Sequence, residues 1–557
     1  MLMKNSLLGQ KKSHLVADWK ALERVFIRPE NEATRITLVK YMEQILFGLH
    51  EFLNKNVGIT EAISLKELSQ RFTDTCIGKN PEKKLAEVIT DIITEIAPQA
   101  VNVASPYFVG HMTSAIPFFM VHLKTIVSAL NQNVVKLETS KVVSVIEKQV
   151  IAKIHRLIYD FDETFYQTHV QNTKTSLGCF TEGGTAANLT ALWVARNRAF
   201  PPKKGFNGIE VEGVHAAFRA YGVERCVVLV SVRGHYSLKK SGGILGIGNR
   251  NVIAVDVDEH NRINIGELKK EIQRLGKDKK TKIIAMVGIA GSTETGSIDP
   301  LTDMAAICRE NNIHFHVDAA WGGPTLMSDK YKHLLKGIEL ADSVTMDGHK
   351  QFYMPMSCGM LYFRDPSIMD LMAYHANYIN RRGSVDLGIK TFSGSREAHS
   401  LILDSALKIM GTRGYALLIE HGIEVAADFA EEIESRDNFE LVTRPELNIL
   451  TYRMFPKHLK QEFNEGDDDT KKDVNDRLNE INRIVQQVQR EAGNSFVSRT
   501  AFKMKHFPEE QVVVLRCVLM NPMTDISILK EILDEQEIIY RAWSQGKLKN
   551  KGRNRVY

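Results

Sequence analysis

Lys350, in Asp347-Gly348-His349-Lys350, follows Asp318, in His316-Val317-Asp318-Ala319-Ala320-Trp321-Gly322-Gly323, by thirty-two residues. A lysine amine can form an imine with an aldehyde. An aspartate can keep a pyridine nitrogen protonated, so that the ring accepts an electron pair from a carbon joined to that imine. Together they are the pair that pyridoxal 5'-phosphate chemistry needs. Alone, each has an ordinary reading: a lysine is usually at the surface, and an aspartate before Trp321-Gly322-Gly323 can cap a helix. His349 can reach a phosphate oxygen, and the apolar Phe352-Tyr353-Met354-Pro355-Met356 follows the lysine. Both favour a desolvated amine, whose lowered pKa makes it a better nucleophile.

Thr181-Glu182-Gly183-Gly184-Thr185-Ala186-Ala187-Asn188 opens a helical run through Leu192, Val194 and Ala195. Glycines at a loop-to-helix junction let backbone N–H groups close on an anion, and Thr185 adds a hydroxyl. Gly183, Gly184 and Thr185 are therefore a candidate phosphate cup, although Gly-Gly before a helix is also a common turn. The other glycine cluster, Gly242 to Gly248, follows a helix-like segment, not a strand, so it reads as a connection into the strand at Val252 and not as a dinucleotide loop. His235, directly after the apolar run Val227 to Val232, could stack on a pyridine ring and touch a substrate carboxylate, or be structural. Ala320 would present a small side chain to one ring face.

At 557 residues the chain predicts a large domain with terminal lobes packed on it. Lys plus Arg number 72 against 67 Asp plus Glu, a net charge of +5. So mild a balance argues against a dedicated nucleic-acid binder and suits a small-molecule enzyme. The first twelve residues hold too short an apolar run for a signal peptide, and no run elsewhere approaches a membrane span. A cytoplasmic enzyme with no membrane partner is expected. The six cysteines lack CxxC spacing, which predicts neither a metal site nor a disulfide framework, and Cys179 and Cys358 read as small buried hydrophobes.

The spacing predicts helices over Ala33 to Asn54 and Leu85 to Ile96, an amphipathic arm for packing or oligomerisation. Strands are predicted at Val227 to Val232, Val252 to Val255, Ile283 to Ile289, Ile313 to Val317, Ser343 to Met346 and Met360 to Phe363, alternating with helices such as Leu301 to Glu310. That alternation gives an α/β domain with a largely parallel sheet, whose ligands collect at the carboxyl ends of strands, where Asp318 and Lys350 fall. Beyond about residue 400 come a helix, Ala398 to Met410, then strands at Ile449 to Arg453 and Val512 to Met520 mixed with helices. Asp467 to Lys472 reads as a solvated turn capping a helix that carries Val474, Leu478, Ile481, Val485 and Val488.

Gly183-Gly184-Thr185 before a helix, His235, Thr293, Asp318 with Ala320, and His349-Lys350, taken in this order, resemble the pyridoxal-dependent group II amino-acid decarboxylases, which include the glutamate and aromatic amino-acid decarboxylases. Within that family the overall similarity, not any single motif, is to the bacterial aspartate 1-decarboxylases, which make β-alanine for pantothenate and coenzyme A. The resemblance implies an aspartate aminotransferase-like fold (fold type I). A large domain over 105–395 would carry a mostly parallel seven-stranded sheet, with a helical segment over 1–104 and a small α+β domain over 396–557. It implies pyridoxal phosphate as cofactor, bound to Lys350, with Gly183, Gly184, Thr185 and His349 on the phosphate. Thr293 would bond the phenolic oxygen, Asp318 the ring nitrogen, and His235 and Ala320 would face the ring. Ser395, in Gly394-Ser395-Arg396, would come from the neighbouring subunit, which places the active sites at the interface of a homodimer.

Tyr378 falls where the family has a mobile-loop tyrosine that returns a proton to the α-carbon after carbon dioxide leaves; Tyr374 competes for that role. Arg516 interrupts the apolar run Val514 to Leu519, at the family's substrate-carboxylate arginine, with a structural ion pair as its other reading. His111 matches a segment lining the substrate pocket. The expected activity is α-decarboxylation of an acidic amino acid, aspartate first, with glutamate and cysteine sulfinate open because one methylene is discriminated only modestly. An aminotransferase, a carbon–carbon lyase or an inactive binding homologue would use the same lysine and aspartate differently. Tyr378 and the Gly394-Ser395-Arg396 segment favour decarboxylation.

Overall fold

The computed structural model describes residues 32–54, 57–58, 65–376, 386–504 and 507–547. By backbone proximity, the described residues up to Phe108 together with Gln487–Phe496 form one compact unit. Val109–Gln486 with the described chain from Val497 form the other. The first unit is mainly helical: Glu32–Leu53 is a helix, and Leu85–Asp91 continues as a π-helical turn over Ile92–Ile96. The rings of Phe108 and Phe496 stack at 5.1 Å within it.

The second unit holds two sheets. Seven strands, β1 Gly178–Thr181, β2 Arg225–Ser231, β3 Val252–Val255, β4 Thr281–Ile289, β5 His314–Asp318, β6 Ser343–Asp347 and β7 Gly359–Phe363, lie in the order β1-β7-β6-β5-β4-β2-β3. β7 runs antiparallel to both strands beside it, β1 and β6, and the pairings from β6 through β5, β4 and β2 to β3 are parallel. A sheet covered on both faces needs side chains that are apolar at successive positions, which is why these strands read as continuous apolar runs. Val227, Val228, Leu229, Ala285, Met286, Val287 and Val317 are all fully buried. All six predicted runs are strands, with ends moved by at most two residues. β1 was not among them. Its four residues, Gly-Cys-Phe-Thr, carry no β-branched run, and antiparallel pairing with β7 fixes them instead.

The second sheet is antiparallel, in the order β10-β11-β9-β8, from β8 Phe439–Thr443, β9 Ile449–Met454, β10 Ser498–Met504 and β11 Phe507–Val518. The predicted strands in this region fall on β9 and β11. The helix expected over Ala398 to Met410 continues to Ser435 across a break at Gly411, whose φ of 61° lies in the left-handed region that glycine adopts without strain. Asp467 caps the helix Asp468–Ala492 by accepting the Thr470 N–H at 2.9 Å. Gly242 and Gly243 belong to the helix Tyr236–Ile244, and the rest of that glycine cluster leads into β3, the connection expected of it. Cys179 and Cys358 are buried. Among the described residues no helix is long and apolar enough to cross a membrane.

Candidate active site

Five strands end at one place. Beyond β1 come Glu182 to Thr185, beyond β2 Arg233 and His235, and beyond β4 Gly291 to Thr293; β5 ends on Asp318, and β6 on Asp347, followed by His349 and Lys350. These residues, with His111, Asn188, Ala320 and Arg516, line a cavity of about 550 Å³. This is the carboxyl edge of the sheet, where an open α/β fold binds its ligands. Of the residues expected from sequence, the cavity gathers His111, Gly183, Gly184, Thr185, His235, Thr293, Asp318, Ala320, His349, Lys350 and Arg516. Ser395 is not among its lining residues and accepts a hydrogen bond from the Asn133 amide at 2.9 Å. Tyr378 lies outside the described residues, and Tyr374 is largely exposed.

Lys350 is mostly buried, its Nζ 2.9 Å from Asp347 Oδ2. Asp347 is itself buried, and its Oδ1 has no hydrogen-bond partner. Gly184 is packed against this carboxylate: a Cβ there would meet Oδ2 at 2.9 Å. Gly183 has φ 125°, so the β1-to-helix turn needs glycine at that position. The N–H groups of Ala186 and Ala187 turn back to the Gly183 carbonyl. Those at the very start of the helix Gly184–Ala199 have no partner inside a helix and suit an anion. His349 Nδ1 donates to the Cys358 carbonyl at 2.6 Å, which fixes the ring beside Gly183.

Asp318 is held by two donors of its own chain. Its Oδ2 accepts the Asn188 amide at 2.7 Å and its Oδ1 the Ala320 N–H at 3.2 Å. The Asn188 carbonyl oxygen is 3.0 Å from His316 Nε2, and burial draws the pKa of His316 down to about 4, so the neutral ring donates. His235 caps the helix Tyr236–Ile244: its Nδ1 accepts from the Ser237 N–H at 3.3 Å, which leaves the proton on Nε2. Burial lowers the His235 pKa, Asp318 opposes that and Lys350 adds to it.

Arg516 projects from β11. It donates through Nη1 to the Thr293 carbonyl at 2.8 Å, through Nη2 to the Gly110 carbonyl at 3.0 Å and through Nε to Ser498 Oγ at 3.0 Å. Among the described residues no carboxylate forms an ion pair with it, so the structural ion pair that was its alternative is not what holds it. Burial lowers its pKa, and Glu294 opposes that at longer range. Burial also lowers the pKa of His111, chiefly, with Arg516 and Lys350 adding to the shift.

The pair Asn188 and Asp347 escaped the sequence reading as functional groups. Asp347 had a signal: it stands three residues before Lys350, one turn away. Asn188 had none, because its partner Asp318 is 130 residues distant. The donor set fits a phosphorylated pyridine aldehyde, with an amine beside a carboxylate, a helix start at Gly183-Gly184-Thr185 and a second, fixed carboxylate in the same cavity.

Residues 68–455 match the family model of the pyridoxal-dependent decarboxylase conserved domain. The chain is 43% identical over 523 residues to the aspartate 1-decarboxylase of Aliivibrio fischeri, across 94% of this chain and 95% of that one. It is 26% identical over 409 residues to the L-2,4-diaminobutyrate decarboxylase of Acinetobacter baumannii, across 72% of this chain and 77% of that one. Among solved structures, it is similar to the glutamate decarboxylase domain of diaminobutyrate-pyruvate transaminase and L-2,4-diaminobutyrate decarboxylase from Vibrio parahaemolyticus. The TM-score is 0.77 at 22% identity, over 94% of this chain and 100% of that one, a likeness of fold.

The chain therefore belongs to the pyridoxal-dependent decarboxylase family, the group II amino-acid decarboxylases. It is a carboxy-lyase that uses pyridoxal phosphate on an amino acid, on the aspartate aminotransferase-like framework of fold type I.

Proposed function

We propose that the chain α-decarboxylates an acidic amino acid, aspartate ahead of glutamate and cysteine sulfinate, giving β-alanine and carbon dioxide from aspartate. The observation that carries α-decarboxylation is Arg516, a partly buried cation in the cavity wall whose three acceptors are two carbonyls and a hydroxyl. Three of its five N–H groups are used, and a carboxylate brought to the other two gains a charge-assisted pair. The preference for aspartate is supported by the 43% identity to an aspartate 1-decarboxylase along nearly the whole chain.

In this reading Lys350 Nζ would hold the cofactor through its aldehyde, and Asp347 Oδ2, 2.9 Å away, would take up and return the amine proton. Gly183, Gly184, Thr185 and His349 would hold the phosphate, Thr293 the phenolic oxygen and Asp318 the ring nitrogen, with His235 and Ala320 against the ring. Pyridoxal phosphate, when bound, supplies a ring that shares the electron pair left on the α-carbon by the departing carbon dioxide. Arg516 would grip the α-carboxylate, and that grip would select the bond from the α-carbon to this carboxylate as the one that breaks. Tyr378, or a relay through His235 Nε2, returns a proton to the α-carbon.

Ser395 serves the neighbouring subunit's phosphate in a homodimer. The exposed Phe118, Val121, Ile126 and Leu130 on the helix Phe118–Leu130 offer apolar surface for that contact. A cytoplasmic place in β-alanine supply for pantothenate accords with it.

The test is a product screen of the purified protein, loaded with cofactor, on aspartate, glutamate, cysteine sulfinate and an aromatic amino acid. β-Alanine and carbon dioxide from aspartate, with the highest kcat/KM, is the expected result. A 2-oxo acid as product, or faster turnover of an aromatic amino acid, overturns it.

A further inference from the structure

The loop after β4, Gly291 to Ser297, carries more than Thr293. Glu294 Oε2 accepts from Arg233 Nη1 at 3.1 Å, and Arg233 is nearly buried while Glu294 is about one-third exposed. Arg233 is itself held from two further sides. Its Nε and Nη2 donate to Asn261 Oδ1 at 3.1 and 2.7 Å, and its guanidinium lies over the Phe502 ring at 4.2 Å. Asn261 closes the circuit, since its carbonyl accepts Ser297 Oγ from the far end of the same loop at 2.9 Å. Arg233, Glu294, the loop and Asn261 thus form a ring of polar bonds around one turn.

What that ring fixes is a carbonyl. The Thr293 C=O belongs to the peptide unit shared with Glu294, and it is the acceptor of Arg516 Nη1 at 2.8 Å. A side chain anchored at both ends restricts the φ and ψ of its own residue, and so the direction of the preceding carbonyl. The remainder of the loop has its own support: Ser292 Oγ, Thr295 Oγ1 and Ser297 Oγ bond one another at 2.7, 2.8 and 3.1 Å, all buried. Loss of the Glu294 anchor would therefore turn one peptide without unfolding the loop.

We propose that Glu294, clamped by Arg233, is a positioning residue for substrate binding, which aims the Thr293 carbonyl and through it Arg516. The inference rests on the reading of Arg516 as the carboxylate-binding group, and it does not depend on which amino acid is the substrate. The same clamp sets the charge of this part of the pocket wall, because the carboxylate of Glu294 pairs with Arg233, whereas the bonds of Arg516 go to uncharged acceptors.

The experiment compares Glu294→Ala and Glu294→Gln in the holoenzyme on whichever amino acid the wild type decarboxylates. Glu294→Ala should raise KM about tenfold or more, the scale of one lost charge-assisted bond, with kcat changed less than about threefold and cofactor absorbance kept. Glu294→Gln keeps an oxygen for Arg233 and should recover most of the KM. In an Arg516→Ala background, Glu294→Ala should add less than about twofold, since a residue acting through Arg516 has nothing left to aim. Calorimetric binding of succinate to each holoenzyme should follow the same order. An unchanged KM in Glu294→Ala, equal effects of the two substitutions, or a full additional effect without Arg516 overturns the proposal. If Arg516→Ala alone leaves KM unchanged, the reading of Arg516 fails instead.

Discussion

Replacing Asn188 with alanine is expected to weaken cofactor binding from a position that need not touch the cofactor. The Asn188 side chain is buried and makes three polar contacts: Nδ2 to Asp318 Oδ2 at 2.7 Å, Nδ2 to Ser237 Oγ at 3.2 Å, and Oδ1 to His316 Nε2 at 3.0 Å. The first is a bond to a charged acceptor, about 1.5–3 kcal/mol. Without it, Asp318 keeps only the Ala320 N–H at 3.2 Å, and its carboxylate is free to rotate away from the ring nitrogen. Carried into binding, that loss is about a tenfold to hundredfold rise in the dissociation constant of pyridoxal phosphate. The assay is titration of the apoenzyme followed by absorbance. Thermal unfolding of the apoenzyme is run beside it, because His316 Nε2 loses its 3.0 Å acceptor, which also costs fold stability. A dissociation constant within about twofold of wild type, while Asp318→Ala abolishes binding, would refute the claim that Asn188 fixes that carboxylate.

Gly184→Ala sets two effects against each other. Alanine favours a helix by about 1 kcal/mol over glycine, but the new Cβ meets Asp347 Oδ2 at 2.9 Å, and such overpacking costs about 1–3 kcal/mol. Displacing Asp347 also loosens Lys350, so cofactor affinity should fall at least about tenfold; tighter binding in the same titration contradicts this. Asp347→Asn keeps the shape and removes the charge beside Lys350, and it should slow exchange of the bound cofactor with substrate amine in stopped-flow absorbance; an unchanged rate would remove Asp347 from the proton traffic.

Stability should fall as pH falls from about 6.5 towards 4.5. Burial draws His155 to about 4, His314 to about 3 and His316 to about 4, so above the unfolded value of 6.5 their contribution is complete, and it is lost as pH falls through those lower values. Asp299 acts in the opposite sense. Burial pushes it up to about 7, so its contribution is complete below the unfolded 3.8 and lost as pH rises through 7. Near pH 5 these four groups by themselves give unfolding a net uptake of about two protons, about 3 kcal/mol per pH unit, and His399, which burial draws to about 4, adds to it in the same sense. A Tm that stays flat or rises over this descent would show that these histidines are not held neutral.

Six of the seven strands of the large sheet were legible because burial on both faces demands uninterrupted apolar runs, and most of the candidate site residues were legible because they sit just past those runs. β8 and β10 were not, since Phe-Glu-Leu-Val-Thr and Ser-Arg-Thr-Ala-Phe-Lys-Met mix polar and apolar side chains, and partner strands supply the pairing. Lys350, Asp318 and the Gly183 turn each carry a local pattern. Asn188, and the Arg233–Glu294 clamp with its partners 28 and 61 residues away, have meaning only after folding. Ser395 was singled out only through family resemblance, and within this chain its hydroxyl has Asn133 as partner.

The central claim is that Lys350 bonds the cofactor. Borohydride reduction of the holoenzyme fixes that bond permanently, and peptide mass mapping then reads its position. The account predicts a single pyridoxyl adduct on the peptide containing Lys350, absent from Lys350→Ala. An adduct on another lysine, or one that persists in Lys350→Ala, would contradict it.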